Sequence, residues 1–346
     1  MKRKVTLAEV ARSAGVSHQT VSNVLNNRSV VREETRKLVL QHLEKMGYRR
    51  NAMARSLKTN KFSLIGLVVP SMTNSMYAEV AQAVVREAER QGYTVMMAVT
   101  ERDVNVELSV VNTIIEHSVA GILISPSDTE EMEGAASRVI TKLDVPVVEI
   151  LNRSSKSVCD VFEADNREGG RLATEHLIDC GHRSIGFIAG VNNSTARSRY
   201  QGFVDGIDKA GLAVIPELVV RGNYTREGGR AACQLMLDSG FPFTAIFCAS
   251  DIMAYGAMDE LAARGLKIPQ DVAIVGFDDM EMSSLPGVSL SSISFHPASL
   301  ARQAIERLIK KIEKPESAGS SIHELQSCSL VVRNSTVGPF LQGSST

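Results

Sequence analysis

The sequence predicts two parts, an all-α helix-turn-helix headpiece followed by a larger, two-lobed α/β domain. Two observations support this prediction. Residues 1–61 hold 14 Lys and Arg against 4 Asp and Glu, a net charge of +10, whereas the remainder holds 24 against 35, a net charge of −11. The basic segment has helical apolar spacing, and beyond it strand and helix patterns alternate. This asymmetry indicates different partners for the two parts, although a solvated basic tail is the simpler alternative.

The basic segment contains a capped helix, a glycine turn and a second capped helix. Thr6 and Glu9 have the spacing of a capping box, and Gly15 tolerates the positive φ of a tight turn. Ser17 is the expected N-cap of the second helix, and a third helix is expected over about 32–46. Two helices joined by a glycine-containing turn form the unit that presents its second helix to the major groove of DNA.

The outward side chains of the second helix suit base reading. Gln19 and Asn23 can each form two hydrogen bonds with adenine, and His18 can donate to a purine or a phosphate. Plain surface polarity is the alternative for these side chains. Hydroxyls and helix N-termini suit phosphates, which position a protein without specifying sequence. The candidate DNA contacts of the headpiece are Thr6, Ser17, His18, Gln19, Thr20, Ser22 and Asn23.

The segment from Val5 to Asn26 resembles the DNA-binding headpiece of the lactose/galactose repressor family (LacI/GalR). The match is long and ordered along the chain. Asn23 departs from the family pattern, in which many members carry an arginine that contacts guanine. This departure predicts a different operator sequence and not a loss of DNA binding.

The same resemblance implies a hinge helix in residues 48–61. In the family this helix pairs across a dimer and inserts a leucine into the minor groove, which kinks the duplex. That role falls on Leu57, with Asn51 as the N-cap and with Arg55 and Lys58 near phosphates. The alternative for Leu57 is packing on the large domain. So short a helix has only marginal stability in water when it is isolated.

Beyond residue 62, the chain alternates between apolar strand patterns and amphipathic helix patterns in two successive sets. This alternation predicts parallel sheets covered on both faces, with a ligand crevice between two lobes at the carboxyl ends of the strands. The predicted strands are 64–69, 94–99, 121–125, 146–151, 184–189, 218–221, 245–249 and 272–276. The predicted helices are 77–91, 106–117, about 131–143, about 169–180, 199–210, 226–238 and 252–264.

Several stretches of this part resemble the periplasmic-binding-protein-like fold that the same repressor family carries. They are 74–79, 165–170, 174–182, 249–257 and 275–279, and the resemblance continues to Thr336. It implies that residues 291–293 cross between the lobes and that a helix over 297–312 returns to the first lobe. The expected boundaries are 1–47 for the headpiece and 62–340 for the effector domain. Within that domain we expect an N-lobe of about 62–163 with 294–325, and a C-lobe of about 164–291 with 326–340.

The candidate effector contacts all follow strand ends. Arg199 and Asp278 are the strongest, because an arginine fork and a carboxylate can bind hydroxyls or a ligand acid; pairing with each other as an interlobe clamp is the alternative. Tyr77 and Tyr224 can stack on an apolar ligand face, with core packing as the alternative for Tyr77. Asn152 stands one residue beyond the family's usual Asp-Arg and is left out. The full set is Ser71, Asn74, Met76, Tyr77, Ser125, Asp165, Arg199, Tyr224, Ser250 and Asp278.

No catalytic or cofactor motif is evident: GxxxxGK, GxGxxG, HExxH and GxSxG are missing, and the seven histidines share no metal spacing. We therefore predict no enzyme activity, cofactor or metal. We expect a cytoplasmic, homodimeric repressor that binds double-stranded operator DNA and a sugar or sugar derivative. The alternative is a periplasmic-type binding protein without a regulatory role, which would need a signal peptide and no basic headpiece.

Overall fold

The computed structural model describes residues 5–25, 29–48, 63–127, 143–154, 157–317 and 319–337. The chain forms two compact units, Met1–Phe62 and Ser63–Thr346. In the described residues, no helix is long and apolar enough to cross a membrane. Most of the expected helix at 131–143 and four predicted hinge contacts lie outside the described residues; those contacts are Asn51, Arg55, Leu57 and Lys58.

The first unit is a bundle of three helices in its described residues. The predicted capping box is confirmed: Glu9 N donates to Thr6 Oγ1 at 3.3 Å, and Thr6 N donates to the Glu9 carboxylate at 2.8 Å. Gly15 has a φ of +63°, as the tight turn requires. Val10, Val21 and Val39, one from each helix, are fully buried and form the centre of a small core. The helices are α1 (Leu7–Ser13), α2 (His18–Leu25) and α3 (Glu33–Lys45).

The second unit contains two six-stranded sheets with helices against them, and each sheet with its helices is called a lobe below. The first sheet has the order β11-β5-β4-β3-β1-β2 and is parallel throughout. The second has the order β12-β10-β9-β8-β6-β7, with only β12 antiparallel. The strands of the first are β1 (Leu64–Val69), β2 (Thr94–Val99), β3 (Gly121–Ile124), β4 (Val147–Ile150), β5 (Asp160–Ala164) and β11 (His323–Gln326). Those of the second are β6 (Ile185–Ala189), β7 (Val219–Arg221), β8 (Ala245–Cys248), β9 (Ala273–Phe277), β10 (Ser291–Ser294) and β12 (Ser329–Val331).

The helices of this unit follow the predicted alternation. One of them begins earlier than expected, at Ser194, because Asn193 Oδ1 accepts a hydrogen bond from Ala196 N and caps it there. The helices are α4 (Ser75–Arg90), α5 (Val104–Glu116), α6 (Asn166–Asp179), α7 (Ser194–Lys209), α8 (Arg226–Asp238), α9 (Asp251–Ala263) and α10 (Pro297–Glu313).

The chain passes between the lobes after β5, after β10 and after β11. As predicted, the helix after β10 returns to the first lobe, where α10 packs on α4 and on the first sheet. The expectation that residues 291–293 cross between the lobes is wrong, because they pair with β9 and β12 as part of β10 in the second sheet, and the crossing follows them. Fully buried Asp160 of β5 anchors it through Arg307 Nε at 2.9 Å and Lys311 Nζ at 2.8 Å. Burial alone would raise the pKa of Asp160, but these two cations outweigh it and lower that pKa.

The sequence Arg-Glu-Gly-Gly-Arg occurs twice, at 167–171 on α6 and at 226–230 on α8, and each copy packs on the following helix. A Cβ on Gly202 of α7 would lie 2.0 Å from Arg167 O, and one on Gly256 of α9 would lie 1.9 Å from Arg226 O. Arg167 also pairs with Asp205 at 2.6 Å, just as Arg226 pairs with Asp259 at 2.6 Å. The two helix pairs of the second lobe therefore share an equivalent glycine contact and an equivalent ion pair.

Candidate DNA-reading helix and effector cavity

Helix α2 carries the side chains predicted to read DNA. Val21 and Val24 are buried in the headpiece core, so the opposite face is turned outward and leaves His18 and Gln19 exposed. Gln19 Nε2 donates to Asn23 Oδ1 at 3.1 Å, which joins the two candidate base readers one helical turn apart. The pair therefore presents a fixed arrangement of amide donors and acceptors.

The N-terminus of α2 is ordered by hydroxyl groups. Ser17 Oγ accepts a hydrogen bond from Thr20 N at 3.0 Å, as an N-cap does, and its hydroxyl also bonds the Thr20 hydroxyl at 2.8 Å. The first turn of α2 carries no acidic side chain, so nothing in it opposes an approaching phosphate. Thr6 starts α1 in the same way, through its capping box.

A cavity of about 140 Å³ lies between the two lobes of the second unit. Its lining comes from the carboxyl ends of strands in both sheets, where the sequence predicted a ligand crevice. The first lobe contributes Pro70, Asn74, Met76, Tyr77, Arg102, Pro126, Ser127, Leu151, Asn152 and Ala164. The second lobe contributes Val191, Asn193, Thr195, Arg199, Tyr224, Asp278 and Phe295.

Arg199 is the buried cation of the cavity, with 5% of its surface exposed. Its guanidinium donates to Asn166 Oδ1 at 2.9 Å and to the carbonyl oxygen of Ala249, and it lies 3.4 Å from the ring centre of Phe277. Nη1 is also 3.4 Å from Asp278 Oδ1. Because these partners surround it, the guanidinium is held in one place before any ligand arrives.

Asp278 is the buried anion beside it, in a loop whose φ of +107° is unusual for a non-glycine residue. Burial raises the pKa of Asp278 to about 6, although Arg199 and Arg102 draw it down. Asp278 and Arg199 do pair with each other. Both residues belong to the second lobe, so the alternative of an interlobe clamp is wrong.

Asn152 connects the lobes at the cavity wall. Its Nδ2 donates to Pro126 O at 2.8 Å in its own lobe, and its Oδ1 accepts from Ser194 Oγ at 2.8 Å and Thr195 Oγ1 at 3.2 Å in the other. Asn152 is almost fully buried. The amide is thus satisfied from both lobes, and the cavity is closed on this side.

Two tyrosines, one from each lobe, line the cavity, and an arginine lies near both. The Arg102 guanidinium lies 5.9 Å from the ring centre of Tyr77 and 5.2 Å from that of Tyr224. Tyr77 also belongs to the hydrophobic core, so core packing and cavity lining both apply to it. The Tyr224 hydroxyl is buried and has no hydrogen-bond partner among the described residues.

Comparison with known proteins identifies the family. Residues 6–51 match the bacterial regulatory proteins of the lacI family, and residues 174–336 match the periplasmic binding protein-like domain. The HTH-type transcriptional repressor PurR of Pasteurella multocida (strain Pm70) is 34% identical over 313 residues, which cover 90% of this chain and 93% of that protein. The chain belongs to the lacI family. It is a DNA-binding transcriptional repressor of that family.

Other relatives of this lacI-family repressor agree. The ribose operon repressor of Haemophilus influenzae (strain ATCC 51907 / DSM 11121 / KW20 / Rd) is 34% identical over 90% of this chain and 92% of its own. The lac repressor dimer bound to operator and the anti-inducer ONPF superimposes with a TM-score of 0.86 at 28% identity, over 96% of this chain and 99% of that one. The complex of the transcriptional regulator CelR with cellobiose has a TM-score of 0.73 at 27% identity, over 96% of this chain and 100% of that one.

The cavity of this lacI-family repressor contains some of the predicted effector contacts but not all. Those that line it are Asn74, Met76, Tyr77, Arg199, Tyr224 and Asp278; those outside its lining are Ser71, Ser125, Asp165 and Ser250. Asp165 caps α6 by accepting from Glu168 N, and Ser250 precedes α9. The lining residues that sequence reasoning missed include Arg102, Asn193, Thr195 and Phe295, and it considered Asn152 and left it out.

The missed residues share positions that sequence patterns do locate. Arg102 follows β2, Asn193 and Thr195 follow β6, and Phe295 follows β10, so each stands just past a carboxyl strand end. A search for polar residues after every predicted strand finds Arg102 and Asn193. Phe295 is not found by such a search, because an apolar residue directly after β10 cannot be distinguished from a residue of the strand itself.

Proposed function

We propose that this lacI-family repressor binds a roughly palindromic operator in double-stranded DNA as a homodimer, and that a small molecule in the cavity controls its affinity for that operator. The effector is a sugar or a sugar derivative. The observation that carries the proposal is the hydrogen-bonded Gln19–Asn23 pair on the outward face of α2. A repressor that acts on chromosomal operators works in the cytoplasm, which we propose as its location.

In the proposed complex, α2 enters the major groove. Gln19 and Asn23 contact base edges, with adenine as the preferred base. The surrounding polar groups bind phosphates and set the register; they are Thr6, Ser17, His18, Thr20 and Ser22. The hinge contacts Asn51, Arg55, Leu57 and Lys58 stay predictions from the family resemblance, with Leu57 as the minor-groove wedge.

The effector half of the proposal is supported by the cavity. Its polar side chains converge from two lobes, and aromatic rings supply apolar faces, as in small-molecule sites generally. The solved relative in complex with cellobiose supports a sugar-like ligand for this chain. Coupling between the two sites is reciprocal: a ligand that weakens operator binding is itself bound less tightly by the operator-bound protein.

The test is retention of the full chain on DNA selected from a random duplex pool. We expect recovered sites to contain inverted repeats with adenines in each half, and the logarithm of the binding constant to fall linearly with the logarithm of salt concentration. Asn23→Ala should cost roughly 1–3 kcal/mol on the selected site and relax the sequence preference at one base pair per half-site. Gln41→Ala, an exposed amide on α3, is the matched control. Salt-insensitive or absent retention would refute the proposal.

A further inference from the structure

Two arginines line the cavity, and only one of them has a carboxylate partner in the described residues. Arg199 is within 3.4 Å of Asp278 Oδ1. The Arg102 guanidinium instead lies over the rings of Tyr77 and Tyr224, with no carboxylate at ion-pair distance in the part of the chain that the structure describes. The described lining therefore carries two cations and one anion, so among the described residues Arg199 and Arg102 share the single carboxylate of Asp278, and one positive charge is in excess.

The backbone holds Arg102 at the cavity. Glu101 and Arg102 have φ values of +52° and +63°, a conformation that costs free energy for residues other than glycine and that persists only where the surroundings impose it. The turn is tied down on both sides, because Asp103 N donates to Thr100 O at 2.9 Å and the hydroxyls of Thr100 and Ser127 share a hydrogen bond of 2.7 Å. The backbone at Arg102 is thus fixed beside the cavity, and its side chain is half-buried there.

A buried donor lies next to this cation. The Tyr224 side chain is 9% exposed, and its hydroxyl has no partner among the described residues. Buried tyrosine hydroxyls normally find a hydrogen-bond partner. Burial raises the pKa of Tyr224 to about 12, so the hydroxyl stays protonated and can donate. The Arg102 guanidinium lies 5.2 Å from the centre of the ring that carries this donor.

The size of the cavity limits the ligand. A cavity needs roughly 10–15 Å³ for each water molecule that it holds. Because a water molecule has one non-hydrogen atom, a cavity of about 140 Å³ accommodates on the order of ten non-hydrogen atoms. This is the size class of a single sugar ring with its hydroxyls.

We propose that the effector is a monosaccharide-sized anion, a sugar acid or a sugar monophosphate, whose acidic group pairs with Arg102. The inference rests on the proposed function, which makes this cavity the effector site, and it deepens that function by naming the chemical class. A guanidinium forms two parallel hydrogen bonds with a carboxylate or a phosphate, and these bonds are strong where aromatic faces exclude water. An uncharged sugar would leave the excess positive charge of the described lining, two arginines against Asp278, uncompensated.

The experiment is titration calorimetry of the full chain with matched ligands. The probes are gluconate, glucuronate and glucose 6-phosphate against uncharged glucose, with inorganic phosphate as a fragment. We expect at least one acid to bind on the order of tenfold more tightly than glucose, because it gains a charged hydrogen-bonding partner. Its affinity should fall as sodium chloride is raised. Comparing the sugar acids with the phosphate ester shows whether the site prefers a carboxylate or a phosphate.

Three variants assign the effect to one side chain. Arg102→Gln should lower the affinity for the acid by about tenfold and leave the affinity for glucose unchanged. Arg102→Lys keeps the positive charge and should restore part of the lost affinity. Arg86→Gln removes an exposed arginine of the same lobe outside the cavity lining and should change nothing.

The same samples are assayed for operator retention, which separates the two proposals. If glucose binds as tightly as every acid, if no acid binds, or if Arg102→Gln leaves the affinity for the acid unchanged, the anionic effector is refuted, whether or not DNA binding stands. If an acid binds through Arg102 but operator retention is indifferent to it, the inference stands and the regulatory part of the proposed function fails.

Discussion

The hydroxyl of Ser194, in the second lobe, donates a hydrogen bond of 2.8 Å to Oδ1 of Asn152, in the first lobe. Thr195 adds a second donor from the second lobe to the same oxygen at 3.2 Å. These bonds join the lobes at one wall of the cavity. The arrangement of the two lobes is therefore stabilised by protein hydrogen bonds of its own.

Removing the amide should loosen this closure. Asn152→Ala deletes two interlobe bonds, and at about 1 kcal/mol each it should disfavour the closed lobes by roughly 2 kcal/mol. Small-angle scattering of the effector-free protein should then give a larger radius of gyration. Ser194→Ala removes the bond to Asn152 and also the contacts of the same hydroxyl with Arg153 N at 3.2 Å and Arg153 O at 3.1 Å, so it should give an increase of similar size. Identical scattering of all three proteins would contradict a latch at this position.

The buried carboxyl of Asp251 should make stability depend on pH. It accepts hydrogen bonds from Met280 N, Ser283 Oγ and Ser292 Oγ, yet burial, with the nearby Asp278 charge, raises its pKa to about 8. Because this pKa is higher in the folded state than in the unfolded state, its contribution to the free energy of unfolding is complete below about pH 4 and is lost as pH rises through about 8.

Asp251→Asn cannot ionise and should lack this loss. We expect its free energy of unfolding in urea to fall less steeply than that of the natural chain between pH 5 and pH 9, a range set by the raised pKa of Asp251. Asp208→Asn, which changes an exposed carboxyl, is the control and should follow the natural chain. Equal pH slopes for the natural chain and Asp251→Asn would show that Asp251 is already ionised at neutral pH.

The capping box should stabilise α1 measurably. Thr6→Ala removes the hydroxyl that accepts from Glu9 N and should cost about 1 kcal/mol, so amides of α1 should exchange roughly fivefold faster in the DNA-free protein. Glu9→Gln keeps a group able to bond Thr6 N and should change exchange much less. Unchanged exchange in Thr6→Ala would mean that tertiary packing alone holds the helix.

The glycine contacts between paired helices should tolerate no side chain. Gly202→Ala and Gly256→Ala each place a Cβ about 2 Å from a backbone oxygen, so we expect at least about 3 kcal/mol of destabilisation in urea unfolding. Gly287→Ala, with nothing within 4 Å of its added Cβ, should stay within about 0.5 kcal/mol. A mild effect at Gly202 or Gly256 would indicate that the helices can separate cheaply.

Long amphipathic helices and apolar parallel strands could be predicted, because their side-chain periodicity follows directly from which face is buried. Strand β5 was not predicted, since it carries Asp160 and Glu163 among its apolar residues. The pairing of Asp160 with Arg307 and Lys311, and of Glu163 with His323, depends on segments far along the chain. Edge strand β11 is largely exposed and has no apolar pattern to detect.

The candidate effector site likewise contains residues that could be predicted from the sequence and residues that could not. Asp278 was predictable, because it directly follows the buried strand β9 and so lies at a strand end. Arg199 lies inside α7, ten residues after β6, and lines the cavity from that helix. Asn152 was set aside because it is one residue out of register with the family's Asp-Arg. Leu151 has a φ of +67°, and the amide that follows it reaches the other lobe. A left-handed residue of this kind leaves no signature in a sequence.

The two helix pairs of the second lobe share one further correspondence. Gly170 lies against the backbone of Arg199, and Gly229 lies against that of Met253. Arg199 and Met253 are equivalent positions, because each precedes the contacting glycine of its helix, Gly202 or Gly256, by three residues. In one pair this place holds the buried guanidinium of the cavity; in the other, Met253 Sδ accepts from Tyr224 N at 3.4 Å and supports a cavity tyrosine from behind. The same close helix contact thus fixes the backbone beneath a cavity side chain in one pair and beneath the support of a cavity residue in the other, which ties the shape of the cavity to the spacing of both helix pairs.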